Sequence, residues 1–468
     1  MDLLLTHGYF LYEDPHELAV MKPYPPLGLL YISSHLKARG VPTALFDTTF
    51  SRPDDLDAYL RRERPRVVGL YCNLMTRTRV LDIMRTAREV GSVVVAGGPD
   101  PANYLDEYLS HGADVIVIGE GELTLEELVP HLLEHGVRDL SDIRGIAYRA
   151  DGGQIVRTEP RPLIPDLNAQ PFPDRAAIDQ PEYVRIWRDH HGQGSVSLIT
   201  ARGCPFTCTW CSHAVFGYSH RRRSPTNVVD EVEQIVSEYK PDQLWYADDV
   251  FTINHKWLFE YAHELEQRGL RLPFETISRE DRLNEQVVET LARMGCYRLW
   301  IGAESGSQRV LDAMKRRTQA ARVREMVHLL QRYGIEVGMF IMLGYEGEGR
   351  SDIEATVSHL KEAGPNTFLT TVAYPIKNTP YYESVKERVV ARREWEQGSD
   401  RDYTVAGRHS MRYYDFATRW MVSEVALHKQ RRDVRLRTTP RLAKTFVSAQ
   451  IGRIGMLLTE REREPALP

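Results

Sequence analysis

The sequence predicts an α/β protein built from a doubly wound domain over residues 1–140, a linker over 141–192, a partial (β/α)6 barrel over 193–376 and a mostly helical C-terminal cap over 377–468. Three observations predict it. Short β-branched runs alternate with helical patterns through the first part of the chain. Prolines then crowd one stretch. After it the alternation resumes for six more βα units, with no sign of a central reversal.

In order, Leu3–Thr6, Pro42–Phe46, Val67–Tyr71, Val93–Ala96 and Asp114–Ile118 read as strands. Leu27–Arg39, Arg77–Val90, Pro101–His111 and Leu123–His135 read as the helices among them. The strand runs are continuously apolar rather than alternating, which indicates burial on both faces. Strand–helix alternation with short connections makes a parallel, doubly wound, Rossmann-like sheet. Ligands of such sheets sit at the carboxyl ends of the strands. The loops there are Tyr71-Cys72-Asn73-Leu74, Gly97-Gly98-Pro99 and Gly119-Glu120-Gly121-Glu122. In the linker, Asp151-Gly152-Gly153 suits a hairpin turn. Pro160, Pro162, Pro165, Pro171 and Pro173 argue against long regular elements.

Ser195–Thr200, Gln243–Ala247, Phe274–Ser278, Arg298–Ala303, Glu336–Met342 and Thr367–Ala373 read as the second set of strands. Val228–Tyr239, His255–Arg268, Asn284–Met294, Ala321–Tyr333 and Ser351–Glu362 read as their helices. A barrel places chemistry at the C-terminal mouth of its strands. Lys429, Arg431, Arg432, Arg435, Arg437 and Arg441 form a basic stretch in the cap. It reads as a solvated face first, and second as a surface for an anionic substrate or a membrane.

Composition narrows the classes. Apolar residues make up 42% and charged residues 27%, as in a globular protein with sizeable cores. The formal charge of −5 gives no global case for nucleic acid. No run is apolar enough for a transmembrane helix, and Met1–His7 reads as a strand rather than a signal peptide. Of five cysteines, three lie within eight residues, a spacing that suits metal ligation in a reducing, cytoplasmic setting.

Those three are Cys204, Cys208 and Cys211, in the pattern C-x3-C-x2-C directly after a predicted strand. Thiolates are soft ligands that favour iron–sulfur clusters or zinc. A structural zinc takes four protein ligands. The local set stops at three, unless His213 completes it. Three thiolates can hold a cubane cluster and leave one iron open to a chelating cofactor.

The three-cysteine loop resembles that of the radical S-adenosylmethionine (SAM) superfamily, and further segments agree in order. Trp210 resembles the aromatic placed near adenine. Tyr246-Ala247-Asp248-Asp249 resembles the second-strand motif near the methionyl amino group. Ile277-Ser278-Arg279-Glu280-Asp281 is similar to the third-strand motif with a SAM-contacting arginine. Ile301-Gly302-Ala303-Glu304-Ser305-Gly306 is similar to the fourth-strand motif, and Phe340–Glu348 to the fifth-strand turn. Pro25-Pro26-Leu27-Gly28, Ala96-Gly97-Gly98-Pro99 and Ile118-Gly119-Glu120-Gly121-Glu122 resemble cobalamin-binding domains fused ahead of such cores.

The resemblance implies a [4Fe–4S] cluster on Cys204, Cys208 and Cys211, which would also be the catalytic residues. It implies SAM contacts at Trp210, Asp249, Arg279, Glu304 and Ser305, and cobalamin contacts at Gly97, Gly98 and Glu120. Asp248 could join the SAM contacts or cap a helix. Asp189-His190-His191-Gly192-Gln193-Gly194 fits the text of an axial-histidine motif, but it follows the linker rather than the first strand, so cobalamin is expected without that ligand. His7 is a remote alternative. Tyr374, Pro375, Asn378, Thr379 and Pro380 follow the sixth strand and could floor a substrate site.

The fused family mostly transfers methyl groups to unactivated carbon of small molecules or lipids, drawing electrons from a donor such as flavodoxin or ferredoxin. A magnesium-protoporphyrin cyclase-like ring closure or rearrangement is the alternative. A methylthiotransferase would need three further N-terminal cysteines, where only Cys72 is available. A non-catalytic cobalamin sensor would leave the cysteine loop unexplained. Peripheral membrane contact is a further expectation from the basic stretch, and nucleic acid is not expected as a partner.

Overall fold

The computed structural model describes residues 1–432 and 440–466. Two compact units emerge: Met1–Pro205 with Ser212–Asp248 and Arg393–Ser399, and Phe206–Cys211 with Asp249–Arg392 and Asp400–Pro468.

The first unit opens with strands β1 (Leu3–His7), β2 (Thr43–Phe46), β3 (Val67–Tyr71), β4 (Val93–Gly97) and β5 (Val115–Val117). Five of the helices beside them are α1 (Pro15–Val20), α2 (Leu27–Ala38), α3 (Pro53–Glu63), α4 (Arg77–Glu89) and α5 (Leu105–Ser110), and α6 (Glu122–His135) follows β5. The sheet runs β2-β1-β3-β4-β5 in parallel. Its order reverses between β1 and β3, the switch point at which such sheets take ligands. Leu3, Leu5, Val67, Val95 and Val115 pack with Leu128, Val129 and Leu132 of α6 in its core.

The linker departs from expectation. Asp151-Gly152-Gly153 turns a hairpin as expected, but its strands β6 (Ile146–Arg149) and β7 (Ile155–Arg157) extend the sheet antiparallel beyond β5, so residues 141–192 are not merely a connector. A 12-residue helix, α7 (Gln180–His191), follows. Its one proline lies in the first turn, where no intrahelical N–H is needed, and the Asp179 side chain accepts from the Glu182 amide as the cap. α3 was also unexpected. Only Leu56 and Leu60 of its residues are buried, so its apolar face is two residues wide on a charged background.

β8 (Ser195–Leu198), β9 (Ala201–Arg202), β10 (Arg221–Arg222), α8 (Pro225–Tyr239) and β11 (Gln243–Tyr246) complete this unit, with β8 and β11 parallel and β9 and β10 antiparallel.

The second unit carries α9 (His255–Gln267), β12 (Phe274–Ser278), α10 (Glu285–Met294), β13 (Cys296–Glu304), α11 (Gln308–Ala313), α12 (Ala320–Arg332), β14 (Glu336–Leu343), α13 (Arg350–Ala363) and β15 (Thr367–Val372). β12 to β15 pair in parallel in chain order. The cap contains α14 (Pro380–Val385), the antiparallel pair β16 (Val389–Ala391) and β17 (Tyr403–Val405), and two long helices, α15 (Met411–Arg432) and α16 (Pro440–Thr459). Residues Arg393–Ser399 do not belong to the cap as expected but to the first unit. Among the described residues no helix is long and apolar enough to cross a membrane. Arg435 and Arg437 of the basic stretch lie outside the described residues. Lys429 Nζ donates to the Pro365 and Asn366 carbonyls.

Candidate cofactor sites

The cysteine loop leaves β9 through Gly203, whose φ is +84° and whose Cβ would stand 2.5 Å from the Ser219 carbonyl oxygen, so only glycine turns the chain there. Cys204 and Cys211 are half-buried and Cys208 is buried. A hydrogen bond from Cys211, then the charge and hydrogen bond of Arg279, hold the Cys208 thiol down at about 6 against the cost of burial. Arg279 Nη1 lies 3.7 Å from Cys208 Sγ and Arg316 Nη1 3.9 Å from it. Arg279 is fixed by Asp281 Oδ1 at 2.9 Å and by the Arg316 carbonyl at 2.9 Å, with its guanidinium 3.9 Å from the Phe206 ring centre. Arg316 Nη2 donates to the Gly302 carbonyl at 2.6 Å. Two positive groups therefore face one soft donor, which favours the thiolate that iron takes.

Among the described residues, no three His, Cys, Asp or Glu side chains form a ready single-ion site. A zinc ion completed by His213 needs four donors around one point, whereas each thiolate of a cubane cluster takes its own iron. The His213 ring Nδ1 is 3.2 Å from the Gly217 carbonyl. Thr209 anchors the loop, its hydroxyl 2.6 Å from Tyr345 Oη and 3.1 Å from the Met314 carbonyl. Trp210 packs against the cluster of Val310, Met314, Met342 and Tyr381.

Glu304 ends β13 with φ +60°, a strained value for a side chain of its size. Burial, then the nearby Cys208 charge, pushes its carboxyl up to about 8. Glu304 Oε1 stands 4.0 Å from Arg316 Nε. Ser305 is fully buried, its hydroxyl 3.1 Å from Thr356 Oγ1 and accepting from the Ser307 amide at 3.1 Å. It locks the β13 corner to α13. Asp248 caps no helix: it accepts from the Thr200 amide at 2.7 Å and from Arg222 Nη2 at 2.8 Å. Asp249 is exposed. Thr379 accepts from the Tyr382 amide at 3.1 Å and so caps α14.

In the first unit, Gly98 has φ +105° and a Cβ there would stand 2.4 Å from the Cys72 carbonyl oxygen. At Gly97 and Gly119 a Cβ would make ordinary contacts, 3.6 Å from Val117 Cβ and 3.7 Å from the Val215 carbonyl oxygen, so of these three glycines only Gly98 is sterically required. Glu120 is held among polar partners. Its carboxylate pairs with Arg202 Nη1 at 2.8 Å and Arg221 Nη1 at 2.8 Å and accepts from the Ile164 amide at 2.7 Å, while Arg202 Nη2 reaches Glu122 at 2.6 Å. The sequence shows Arg221, but nothing in it pairs that residue with a glutamate 101 positions away. His7 is likewise engaged, its Nε2 2.9 Å from Asp47 and its Nδ1 accepting from the Tyr9 amide at 3.2 Å. The Asp189–Gly194 text lies at the end of α7, where His191 Nε2 contacts the Met21 carbonyl at 3.0 Å.

Comparison with known proteins agrees with both halves. Residues 198–360 match the radical SAM superfamily, and residues 19–129 match the B12 binding domain. A methyltransferase of Pyrococcus horikoshii, named as uncharacterized, is 28% identical over 370 residues, covering 77% of this chain and 78% of its own. The anaerobic magnesium-protoporphyrin IX monomethyl ester cyclase of Rubrivivax gelatinosus is 28% identical over 73% of this chain, which spans 63% of that enzyme's length. Among solved structures, the radical SAM methyltransferase TsrM of Kitasatospora setae, with cobalamin and a [4Fe–4S] cluster bound, aligns with a TM-score of 0.68 at 21% identity, over 83% of this chain and 75% of its own. The cobalamin-dependent radical enzyme OxsB aligns with a TM-score of 0.73 at 17% identity, over 98% of this chain and 72% of its own. These structural likenesses are of fold. The two matched domains, in this order, carry the conclusion: a B12 binding domain stands ahead of a radical SAM domain in this chain, the arrangement of cobalamin-dependent radical SAM enzymes, whose cofactors are cobalamin, SAM and a [4Fe–4S] cluster.

Proposed function

We propose that the protein methylates an unactivated carbon of a small molecule or lipid, with Cys204, Cys208 and Cys211 as the ligands of its cluster. The observation that carries this reading is the C-x3-C-x2-C loop, whose buried Cys208 Sγ lies 3.7 Å from Arg279 Nη1 and 3.9 Å from Arg316 Nη1. Reductive cleavage of SAM and carriage of a methyl group are chemistry that the bound cluster, SAM and cobalamin supply. The chain's own part is to position and to exclude water. Arg279 and Arg316 stabilise the thiolate form of Cys208. Thr209 and Trp210 hold the loop against an apolar cluster. Burial raises the Glu304 carboxyl and so favours its protonated form, which can donate a hydrogen bond. Gly97, Gly98 and Glu120 would hold the cobalamin, with Gly98 turning the chain at φ +105°.

Relatives named as methyltransferases support methyl transfer, among them the bacteriochlorophyllide d C-12(1)-methyltransferase of Chlorobaculum tepidum and the hopanoid C-3 methylase of Methylococcus capsulatus. The magnesium-protoporphyrin cyclases among the relatives favour ring closure as the second reading. An electron donor such as flavodoxin or ferredoxin would supply the reductant. Anoxic reconstitution with iron, sulfide, cobalamin and labelled SAM separates the readings. A methyltransferase yields S-adenosylhomocysteine together with 5′-deoxyadenosine. Formation of 5′-deoxyadenosine alone would overturn methyl transfer in favour of cyclisation.

A further inference from the structure

α16 is turned the wrong way out for a solvated helix. Its buried residues include the small Ala449, Gly452 and Gly455. A Cβ at Gly452 would stand 2.5 Å from the Trp420 backbone nitrogen of α15, and one at Gly455 2.3 Å from the Phe416 ring, so the two helices meet nearly backbone to backbone. Apart from the buried Met456, most of the large apolar side chains of α16 point elsewhere. Val447, Ile451, Ile454 and Leu458 are 53%, 42%, 53% and 78% exposed. At ~100° per residue these four fall within a stripe of ~60°. Phe446 and Leu457, both more than two-fifths exposed, widen it on one side. A surface helix ordinarily buries its large apolar residues and exposes the polar ones. Single exposed leucines need no explanation, but a contiguous apolar stripe marks an interaction surface.

Charge selects the occupant. α16 contains Arg441, Lys444 and Arg453 and no Asp or Glu. All three cations are exposed. On the helical wheel Lys444 borders one side of the apolar arc and Arg453 the other. An apolar stripe between basic margins complements an anionic lipid surface, where the stripe enters the headgroup boundary and the cations meet phosphates. A second copy of the same helix would instead bring like charges together at both margins. The helix is not apolar enough to cross a bilayer, so it would lie in the plane of the surface.

We propose that α16 is an interfacial anchor that seats the protein on an anionic bilayer through Val447, Ile451, Ile454 and Leu458, with Lys444 and Arg453 on lipid phosphates. The surface is independent of the reaction assigned above. The test is sedimentation of the full-length, anoxically reconstituted protein with phosphatidylcholine vesicles, with and without phosphatidylglycerol. The protein should pellet with the anionic vesicles, more weakly with the neutral ones, and less as salt rises. I454S/L458S and, separately, K444Q/R453Q should each weaken binding about tenfold or more, with circular dichroism and bound cobalamin unchanged. Absence of vesicle binding by the unaltered protein, or equal binding by I454S/L458S, would overturn the proposal. So would a lipid-free dimer, seen in sedimentation velocity, that I454S/L458S dissociates, because the stripe would then be a self-association face.

Discussion

Two buried carboxyls, Glu304 and Glu348, are both held protonated near neutral pH by burial. Glu348 is the clearer case for a stability measurement, since it stands apart from the cysteine loop. Its Oε2 accepts from the Gly344 amide, while Oε1 is buried without a hydrogen-bond partner. Burial raises its carboxyl from 4.5 to about 8. The folded protein therefore keeps a proton that the unfolded chain has already released in that window. Stability is fully present below pH 4.5 and falls as pH rises toward about 8. Glu348→Gln should flatten this slope in urea melts of the metal-free protein. An unchanged slope would show that another group carries it. At this scale the C-x3-C-x2-C spacing is legible because it is local, whereas the pairing of Glu120 with Arg202 and Arg221, 82 and 101 positions away, is not.

At the scale of elements, α4 and the loop after β4 are joined by a buried ion pair. Arg77, at the first position of α4, donates to both oxygens of Asp100 at 2.8 and 2.9 Å, and Tyr108 Oη of α5 donates to the same carboxylate at 2.5 Å. Arg77 is 1% exposed and Asp100 3%. Removing one partner of such a pair leaves a buried charge uncompensated. Asp100→Ala should cost about 3–5 kcal/mol in chemical denaturation of the protein, and a loss below 1 kcal/mol would show that water reaches the guanidinium. Most strands and long helices of the sheet regions were legible, because continuous apolar runs and 3.6-residue periodicity are properties of a segment by itself. The β6–β7 hairpin was legible in its Asp151-Gly152-Gly153 turn, whereas α7 was obscured by the surrounding prolines. Proline density forbids helix interiors, yet it says nothing against a first turn, where Pro181 sits.

At the scale of the whole molecule, the cluster ligands proposed here and the glycines at the ends of β4 and β5 belong to separately matched domains. Cys208→Ala should therefore abolish iron uptake and SAM cleavage while bound cobalamin per chain is retained. Loss of both cofactors together would indicate that one site supports the other. The sequence alone determined the family, the α/β class and the cysteine motif, because ligand spacing, strand hydrophobicity and glycine turns are encoded over a few neighbouring residues. Only the tertiary structure decided how Glu120, Ser305 and Asp248 are spent, that Arg393–Ser399 joins the first unit, and that α16 presents its large apolar side outward. Those outcomes depend on partners far apart in the chain and on which face of a helix finds a neighbour, and neither is written in local periodicity.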